Sequence, residues 1–201
     1  LFSGGLDSVL AVRLLQDQDI EVTGLTFTSY FFNAETAQKT ARQLKIDLKV
    51  LDIGDEQLAF VKNPPHGYGK AMNPCIDCHT LMLKKAKEVM ESEGYDGAAT
   101  GEVLNQRPMS QNKEALRLIA KESGLNGYLL RPLSAQALEP TILEEEGLVN
   151  RKKLLDISGR SRKEQIALAS KWNIEEYPSP AGGCLLTDPQ FGFRLKEMLV
   201  H

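Results

Sequence analysis

Three short segments of the sequence contain side chains whose types and spacing suit chemistry. The first, SGGLDS at residues 3–8, combines two glycines with two hydroxyls and a carboxylate. The second, NPCIDCHT at residues 73–80, contains two of the three cysteines, and the third, Cys184, follows two glycines in PAGGC. An anion suits the first segment, and sulfur or metal chemistry suits the cysteines.

The segment SGGLDS lies between an apolar pair and an apolar run with helical spacing, which predicts a strand end, a tight turn and a helix start. Gly4 and Gly5 allow the backbone to approach a ligand closely. The first amides of a helix have no partner within it and carry its positive dipole end, and Ser3 and Ser8 add hydroxyl donors. The segment is therefore predicted to bind phosphate. The alternative is a plain turn in which Asp7 only favours the helix start.

The cysteines are predicted to act together. Cys75 and Cys78 are expected at the start of a helix, where unpaired amides lower the pKa of a thiol. Zinc usually takes four ligands, and His79 is the available fourth, but its position beside Cys78 strains tetrahedral ligation. Three thiolates, with Cys184 as the third, suit three corners of a 4Fe–4S cluster whose open iron holds sulfide. A persulfide resolved as a disulfide, or a set of plain structural thiols, are the alternatives.

Strands and helices alternate along the chain up to residue 133. The predicted strands are 1–2, 21–27, 48–53, 97–100 and 128–130, and the predicted helices are 8–15, 34–44, 56–61, 79–90, 110–122, 141–146 and 162–172. This alternation predicts an α/β fold with a parallel sheet and helices on both faces. The predicted domains are an α/β domain over 1–133 and a small, mainly helical C-terminal segment over 134–201 that carries the third cysteine and a basic linker.

The composition is that of a globular protein, with 42% apolar and 25% charged residues among 201. A net charge of −3 is not that of an independent nucleic-acid binder, so RNA contact would need a local basic patch or a partner. No apolar run approaches the roughly 20 residues of a membrane span, and reduced thiols predict a cytoplasmic protein. The missing initial methionine predicts that the native chain extends upstream.

SGGLDS resembles the pyrophosphate loop of the ATP pyrophosphatase superfamily. The resemblance implies a Rossmann-like fold of the HUP type and ATP as a substrate whose α-phosphorus is attacked by an oxygen. It implies that Asp7 acts on or through Mg²⁺ and that adenine lies near Thr26 and Phe27. The loop residues it assigns to ATP binding are Ser3, Gly4, Gly5, Leu6, Asp7 and Ser8.

A further candidate set follows the predicted strand 97–100. Thr100, Gly101 and Glu102 are expected at the same sheet edge as SGGLDS, because ligands bind at the carboxyl ends of strands. Arg107 and Gln111 are then candidates for contact with ATP phosphates or substrate. A plain connection to a capped helix is the alternative.

The motifs CIDCH, TGEVLNQRPMSQ, LLRPL and EEYPSPAGGCLLTDP together resemble the 4-thiouridine synthetase family of tRNA-thiolating enzymes over most of the chain. The resemblance implies an ATP-dependent tRNA sulfurtransferase that adenylates a uridine oxygen, releases pyrophosphate and replaces oxygen by sulfur. Asp7, Cys75, Cys78 and Cys184 would be its catalytic residues. Its cofactors would be ATP, Mg²⁺ and a 4Fe–4S cluster, and its partners tRNA and a sulfur donor, either sulfide or a persulfide carrier protein.

This sequence departs from that family's pattern. The 201 residues of this chain include neither a THUMP-type tRNA-binding domain before the loop nor a rhodanese domain after it, and 139–162 resembles an insertion. The 2-thiouridine synthetases share the loop and the cysteines, so the atom replaced stays open. RNA contact is expected from a separate domain, a homodimer or a basic segment. The basic candidates are Arg151, Lys152, Lys153, Arg160, Arg162 and Lys163, for which a solvated face is the alternative.

Two other functions remain possible from the sequence alone. A pyrophosphatase of this superfamily could adenylate a small carbonyl substrate for amidation, which needs no cysteines. A non-catalytic ATP-binding module is the other.

Overall fold

The computed structural model of the chain describes residues 1–174, 177 and 183–200. The strands are β1 Gly24–Thr28, β2 Leu48–Asp52, β3 Ala98–Ala99 and β4 Leu129–Leu130. The helices are α1 Leu6–Gln16, α2 Glu35–Leu44, α3 Gly54–Val61, α4 Cys75–Glu93, α5 Lys113–Glu122, α6 Ile142–Glu145, α7 Lys163–Lys171 and α8 Pro189–Val200. Short 3₁₀ turns occupy Ala135–Ala137, Arg151–Lys153 and Leu185–Thr187.

Parallel strands form the centre of the fold. β1 pairs in parallel with β2, and β3 pairs in parallel with β4. Residues 1–2 lie between these two pairs, since the Phe2 amide donates to the Leu25 oxygen at 2.8 Å and the Leu1 nitrogen donates to the Ala99 oxygen. The order across the fold is thus β2, β1, residues 1–2, β3, β4. The predicted α/β class with parallel strands is confirmed.

Helices cover both sides of this layer. Phe2 packs in a cluster with α1 and α2, whereas Leu1 packs against Leu83 and Ala86 of α4. Because neighbouring residues of an extended segment point to opposite faces, α1 and α2 lie on one face and α4 on the other. The phosphate-loop candidate therefore begins at the centre of the layer, where residues 1–2 end.

The C-terminal residues share cores with the α/β part. One cluster joins Leu6 and Leu10 of α1 to Leu133, Ile157 and Ala169. The boundary at residue 133 stays a prediction. Within the described residues, no helix is long and apolar enough to cross a membrane.

Most predicted bounds differ from the structure by one to three residues, and two differences are larger. Helix α4 begins four residues before the predicted start at residue 79, so that Cys75 is its first residue. Helix α8 has no predicted counterpart, although Asp188–Pro189 carries a start signal. The Asp188 carboxylate accepts from the amides of Gln190 and Phe191 at 2.8 and 2.9 Å, which caps the helix. The sequence predicts a loop over YPSPAGGCLLTDP, residues 177–189. Residues 178–182 lie outside the described residues, and within the remainder Leu185–Thr187 form a 3₁₀ turn and Pro189 begins α8.

Candidate functional site

The SGGLDS loop has the backbone geometry of an anion cradle. Gly4 has a φ of +74°, and a Cβ there would lie 2.7 Å from the Thr36 oxygen, so only glycine fits. Helix α1 begins at Leu6, and its first amides have no helical partner. Ser8 Oγ donates to the Gly5 oxygen at 2.8 Å and Ser3 Oγ accepts from the Gly5 amide at 3.3 Å, which fixes the turn. The Leu6 side chain is buried, so this residue offers only its amide.

The segment after β3 lies directly against this loop. A Cβ on Gly101 would meet the Ser8 nitrogen at 2.5 Å and the Asp7 carbonyl carbon at 2.6 Å. The structure thus brings the two segments together at one sheet edge, as expected. Close backbone approach explains why position 101 is glycine.

Asp7 is held by two side chains that come from distant parts of the chain. Its Oδ2 accepts from Gln106 Nε2 at 2.8 Å, and its Oδ1 pairs with Arg162 Nη2 at 3.2 Å. Gln165 Nε2 in turn donates to Gln106 Oε1 at 2.8 Å. Sequence reasoning missed Gln106 and Gln165 and placed Arg162 with RNA, because contacts across 99 and 155 residues leave no local signal.

The other predicted ATP contacts lie in different surroundings. Thr26 and Phe27 are buried in β1, and Phe27 packs in the core with Ile53. Arg107 is exposed. Gln111 is buried, and its Oε1 is a buried acceptor with no hydrogen-bond partner among the described residues.

The cysteines come together at the start of α4. Cys75 is the first residue of the helix, Cys78 lies one turn later, and Cys184 precedes the turn Leu185–Thr187. All three are half-buried free thiols, and besides burial, the largest cause, the nearby Cys184 and Cys75 raise the pKa of Cys78. Each thiol of α4 accepts an amide hydrogen bond at 3.2 Å, from Asn73 Nδ2 to Cys75 Sγ and from Gln57 Nε2 to Cys78 Sγ.

The expected lowering of the thiol pKa at this helix start is wrong for Cys78. Burial, and then the neighbouring thiols, raise the pKa of Cys78, and the Gln57 hydrogen bond offsets only part of this. Burial also raises the pKa of Cys184. Removal from water therefore outweighs the helix amides, and these thiols are protonated unless a cation or a sulfur reaction removes the proton.

A cluster places different demands on the thiols than a single metal ion does. Among the described residues, no three His, Cys, Asp or Glu side chains are close enough to hold one metal ion. In a cluster each thiolate binds its own iron, and amide hydrogen bonds to the sulfurs tune the potential. Bound iron would also supply the positive charge that buried thiolates need.

His66 attaches the loop 62–74, between α3 and α4, to the first turn of α4. Its Nδ1 bonds Asp77 Oδ1 at 2.7 Å, its amide donates to Asp77 Oδ2 at 3.3 Å, and its Nε2 lies 3.3 Å from Glu122 Oε1. The hydrogen bond to Asp77 raises the pKa of His66. His66 was not among the predicted site residues, and Asp77, between the two cysteines, is its anchor.

Glu102 links the cysteine helix to the loop region. Its buried carboxylate lies 2.9 Å from His79 Nδ1 and accepts from Arg131 Nε at 3.0 Å and from Thr100 Oγ1 at 3.1 Å. Burial alone would raise the pKa of Glu102, but Arg131 and then His79 outweigh it and lower the pKa to about 2. The charged Glu102, which directly follows Gly101, therefore connects the segment against the SGGLDS loop to His79, the residue after Cys78.

The predicted RNA-binding residues fall into two groups. Arg151 pairs with Glu144 at 2.6 Å and donates to the Leu138 oxygen at 2.8 Å, and Arg162 pairs with Asp7. The remaining four are exposed and face solvent: Lys152, Lys153, Arg160 and Lys163.

Comparison with known proteins gives a consistent result. A family model described as "Thiamine biosynthesis protein (ThiI)" matches residues 1–142. The tRNA-specific 2-thiouridylase MnmA of Syntrophomonas wolfei is 37% identical over 50% of this chain and 31% of its own length. The enzymes of the same name from Endomicrobium trichonymphae and Caldicellulosiruptor saccharolyticus are 31% and 26% identical, over 70% and 94% of this chain. The chain spans 46% and 56% of those two relatives.

Proposed function

The chain belongs to the ThiI family, and on this premise we propose that it is an ATP-dependent tRNA sulfurtransferase. The proposed reaction replaces a uridine carbonyl oxygen by sulfur. One observation carries the proposal: Gly101 packs on the SGGLDS loop while the next residue, Glu102, bonds His79 beside Cys78. These contacts support the proposal that the candidate ATP loop and the thiols belong to one site.

The first proposed step is adenylation of the uridine. The amides at the start of α1 and the hydroxyls of Ser3 and Ser8 would hold the phosphates, and Asp7 would hold Mg²⁺, which would neutralise part of the phosphate charge. The uridine oxygen forms a bond to the α-phosphorus, the bond from that phosphorus to pyrophosphate breaks, and the uridine N3 proton is released. The base must be unstacked, because the reacting atom is inaccessible in a helix.

The second proposed step is sulfur transfer. A hydrosulfide attacks the activated carbon and AMP leaves, with no net oxidation. In the persulfide variant, the terminal sulfur of one cysteine persulfide attacks the carbon. A second cysteine then takes the inner sulfur as a disulfide, which an external dithiol must reduce. When bound by Cys75, Cys78 and Cys184, a 4Fe–4S cluster would supply an open iron for hydrosulfide.

The proposed partners follow from charge and from the relatives. The relatives carry the name tRNA-specific 2-thiouridylase, which favours tRNA as the substrate and position 2 as the modified atom. Lys152, Lys153, Arg160 and Lys163 are the exposed cations proposed for the RNA backbone. With a net charge of −3, we propose that an additional RNA-binding domain or a second copy of the chain assists them. The sulfur donor is sulfide or a persulfide carrier, and the reaction takes place in the cytoplasm.

The proposal is tested with anaerobic protein, tRNA, ATP, Mg²⁺ and sulfide. Pyrophosphate release and thiouridine, identified by nucleoside mass spectrometry, are measured together, and the product identifies the atom replaced. Asp7→Asn is expected to abolish both signals. Asp17→Asn, at the exposed C-terminal end of the same helix, is the matched control and retains both. Wild-type protein that forms neither product with any tRNA would refute the proposal.

The cluster is tested separately by iron and acid-labile sulfide analysis after anaerobic purification. About four irons per chain are expected, and they are lost in Cys184→Ala. If the protein contains no iron after anaerobic reconstitution, the cluster is excluded and the persulfide route remains as the mechanism of sulfur transfer.

A further inference from the structure

Arg162 reaches the phosphate-loop candidate from the C-terminal part of the chain. It is the residue before α7, and its Nη2 lies 3.2 Å from Asp7 Oδ1. Gln165, one turn into α7, donates to Gln106, which in turn donates to the other Asp7 oxygen. The start of α7 is therefore hydrogen-bonded to both oxygens of Asp7, directly through Arg162 and indirectly through Gln106. Arg162 lies beyond residues 1–142, which the family model matches.

This arrangement competes with the ion that Asp7 is proposed to hold. Mg²⁺ binds carboxylate oxygens directly, whereas both Asp7 oxygens already accept hydrogen bonds. Each oxygen keeps a second lone pair for the ion, but the charge of a bound Mg²⁺ would repel the Arg162 guanidinium, whose Nη2 lies 3.2 Å from Asp7 Oδ1. Arg162 has a second reason to move: its Nε is buried without a hydrogen-bond partner among the described residues. A guanidinium offers a planar fork that matches phosphate oxygens.

We infer that Arg162 is a pyrophosphate-binding residue that pairs with Asp7 in the free protein and exchanges this carboxylate for the β- and γ-phosphates of ATP. The inference rests on the proposed function, because it needs ATP in the SGGLDS loop. It assigns Arg162 to the nucleotide instead of RNA. It also gives α7 a role, since the first turn of this helix delivers the cation to the loop.

The test is calorimetric binding of α,β-methylene-ATP, which resists cleavage at the α-phosphorus, and of AMP as a ligand without the pyrophosphate. Arg162→Gln is expected to weaken binding of the triphosphate about 10- to 100-fold, the effect of one charge-assisted hydrogen bond. Binding of AMP is expected to stay within twofold. Lys171→Gln removes an exposed charge at the other end of α7 and is the matched control with unchanged binding.

A double-mutant cycle distinguishes direct contact between Arg162 and phosphate from a role in which Arg162 only positions Asp7. In Asp7→Asn protein without Mg²⁺, Arg162→Gln should still weaken triphosphate binding if the guanidinium touches phosphate. No further loss in that background would overturn the inference, as would an equal loss for AMP or triphosphate binding within twofold of wild type.

Two further results distinguish a failure of the inference from misfolding of Arg162→Gln and from a failure of the proposed function. If Arg162→Gln does not fold, Arg162→Lys carries the test: it keeps the charge but loses the fork, so several-fold weaker triphosphate binding is expected. Wild-type affinity in Arg162→Lys would then overturn the inference. Wild-type protein that binds no triphosphate would instead refute the proposed function.

Discussion

Gly101→Ala tests the close approach between the β3 end and the phosphate-loop candidate. The added Cβ would lie 2.5 Å from the Ser8 nitrogen, whereas an ordinary contact begins at 3.4 Å. The loop must therefore retreat by about 0.9 Å to accept it. Both neighbours are backbone atoms, which cannot rotate away, so we expect a loss of about 1–3 kcal/mol in the free energy of unfolding.

The same shift damages nucleotide binding more selectively than it damages the fold. An amide–phosphate hydrogen bond of about 2.9 Å, stretched by that amount, leaves the hydrogen-bonding range. Losing one such charge-assisted bond weakens ATP binding about 10- to 100-fold. Calorimetric titration with ATP measures the affinity, and a thermal melt measures the stability.

Gly183→Ala is the matched control for this substitution. Gly183 has an ordinary φ, and a Cβ there meets no heavy atom within 4 Å among the described residues. We expect this variant to bind ATP like wild type. If Gly101→Ala also binds ATP within twofold of wild type, the loop does not hold phosphate through its amides and the reasoning is wrong.

Two further predictions concern groups around the cysteine helix. The pKa of Glu102 is about 2 when folded against an ordinary 4.5, so its contribution to stability, on the order of 3 kcal/mol, is present above pH 4.5 and lost as the pH falls towards 2. Measured by urea unfolding, the free energy of unfolding of Glu102→Gln should fall less than that of wild type between pH 4.5 and pH 2. An equal fall in both proteins would contradict the prediction. His66→Ala should speed protease cleavage within residues 63–72 about tenfold by removing the anchor on Asp77, and cleavage no faster than in the exposed control Lys70→Ala would contradict this.

The elements that hold the site were predictable from local patterns. The glycines of SGGLDS and the apolar run after it predict the turn and helix α1, and the structure places both there. The alternation of strands and helices predicts that Gly101 faces the loop, because carboxyl ends of parallel strands share an edge. Cys75 and Cys78 were also expected at a helix start, but the periodic pattern begins at residue 79 and does not show that Cys75 is the first residue of α4.

The contacts that tune the site were not predictable in the same way. Asp7 obtains its partners from positions 106 and 162, and Glu102 obtains Arg131, through the folded packing of distant segments. No local period encodes such pairs. The pKa of Cys78 illustrates the same limit, since the helix start is visible in the sequence but the burial that dominates it depends on three separate segments.

The central claim is that the ATP loop and the three thiols serve one reaction. The most direct test measures pyrophosphate release and thiouridine formation in the same anaerobic reaction with Cys184→Ala. We predict that tRNA-dependent pyrophosphate release continues while thiouridine is absent, because adenylation precedes sulfur transfer. Thiouridine formed by this variant at the wild-type rate would contradict the claim.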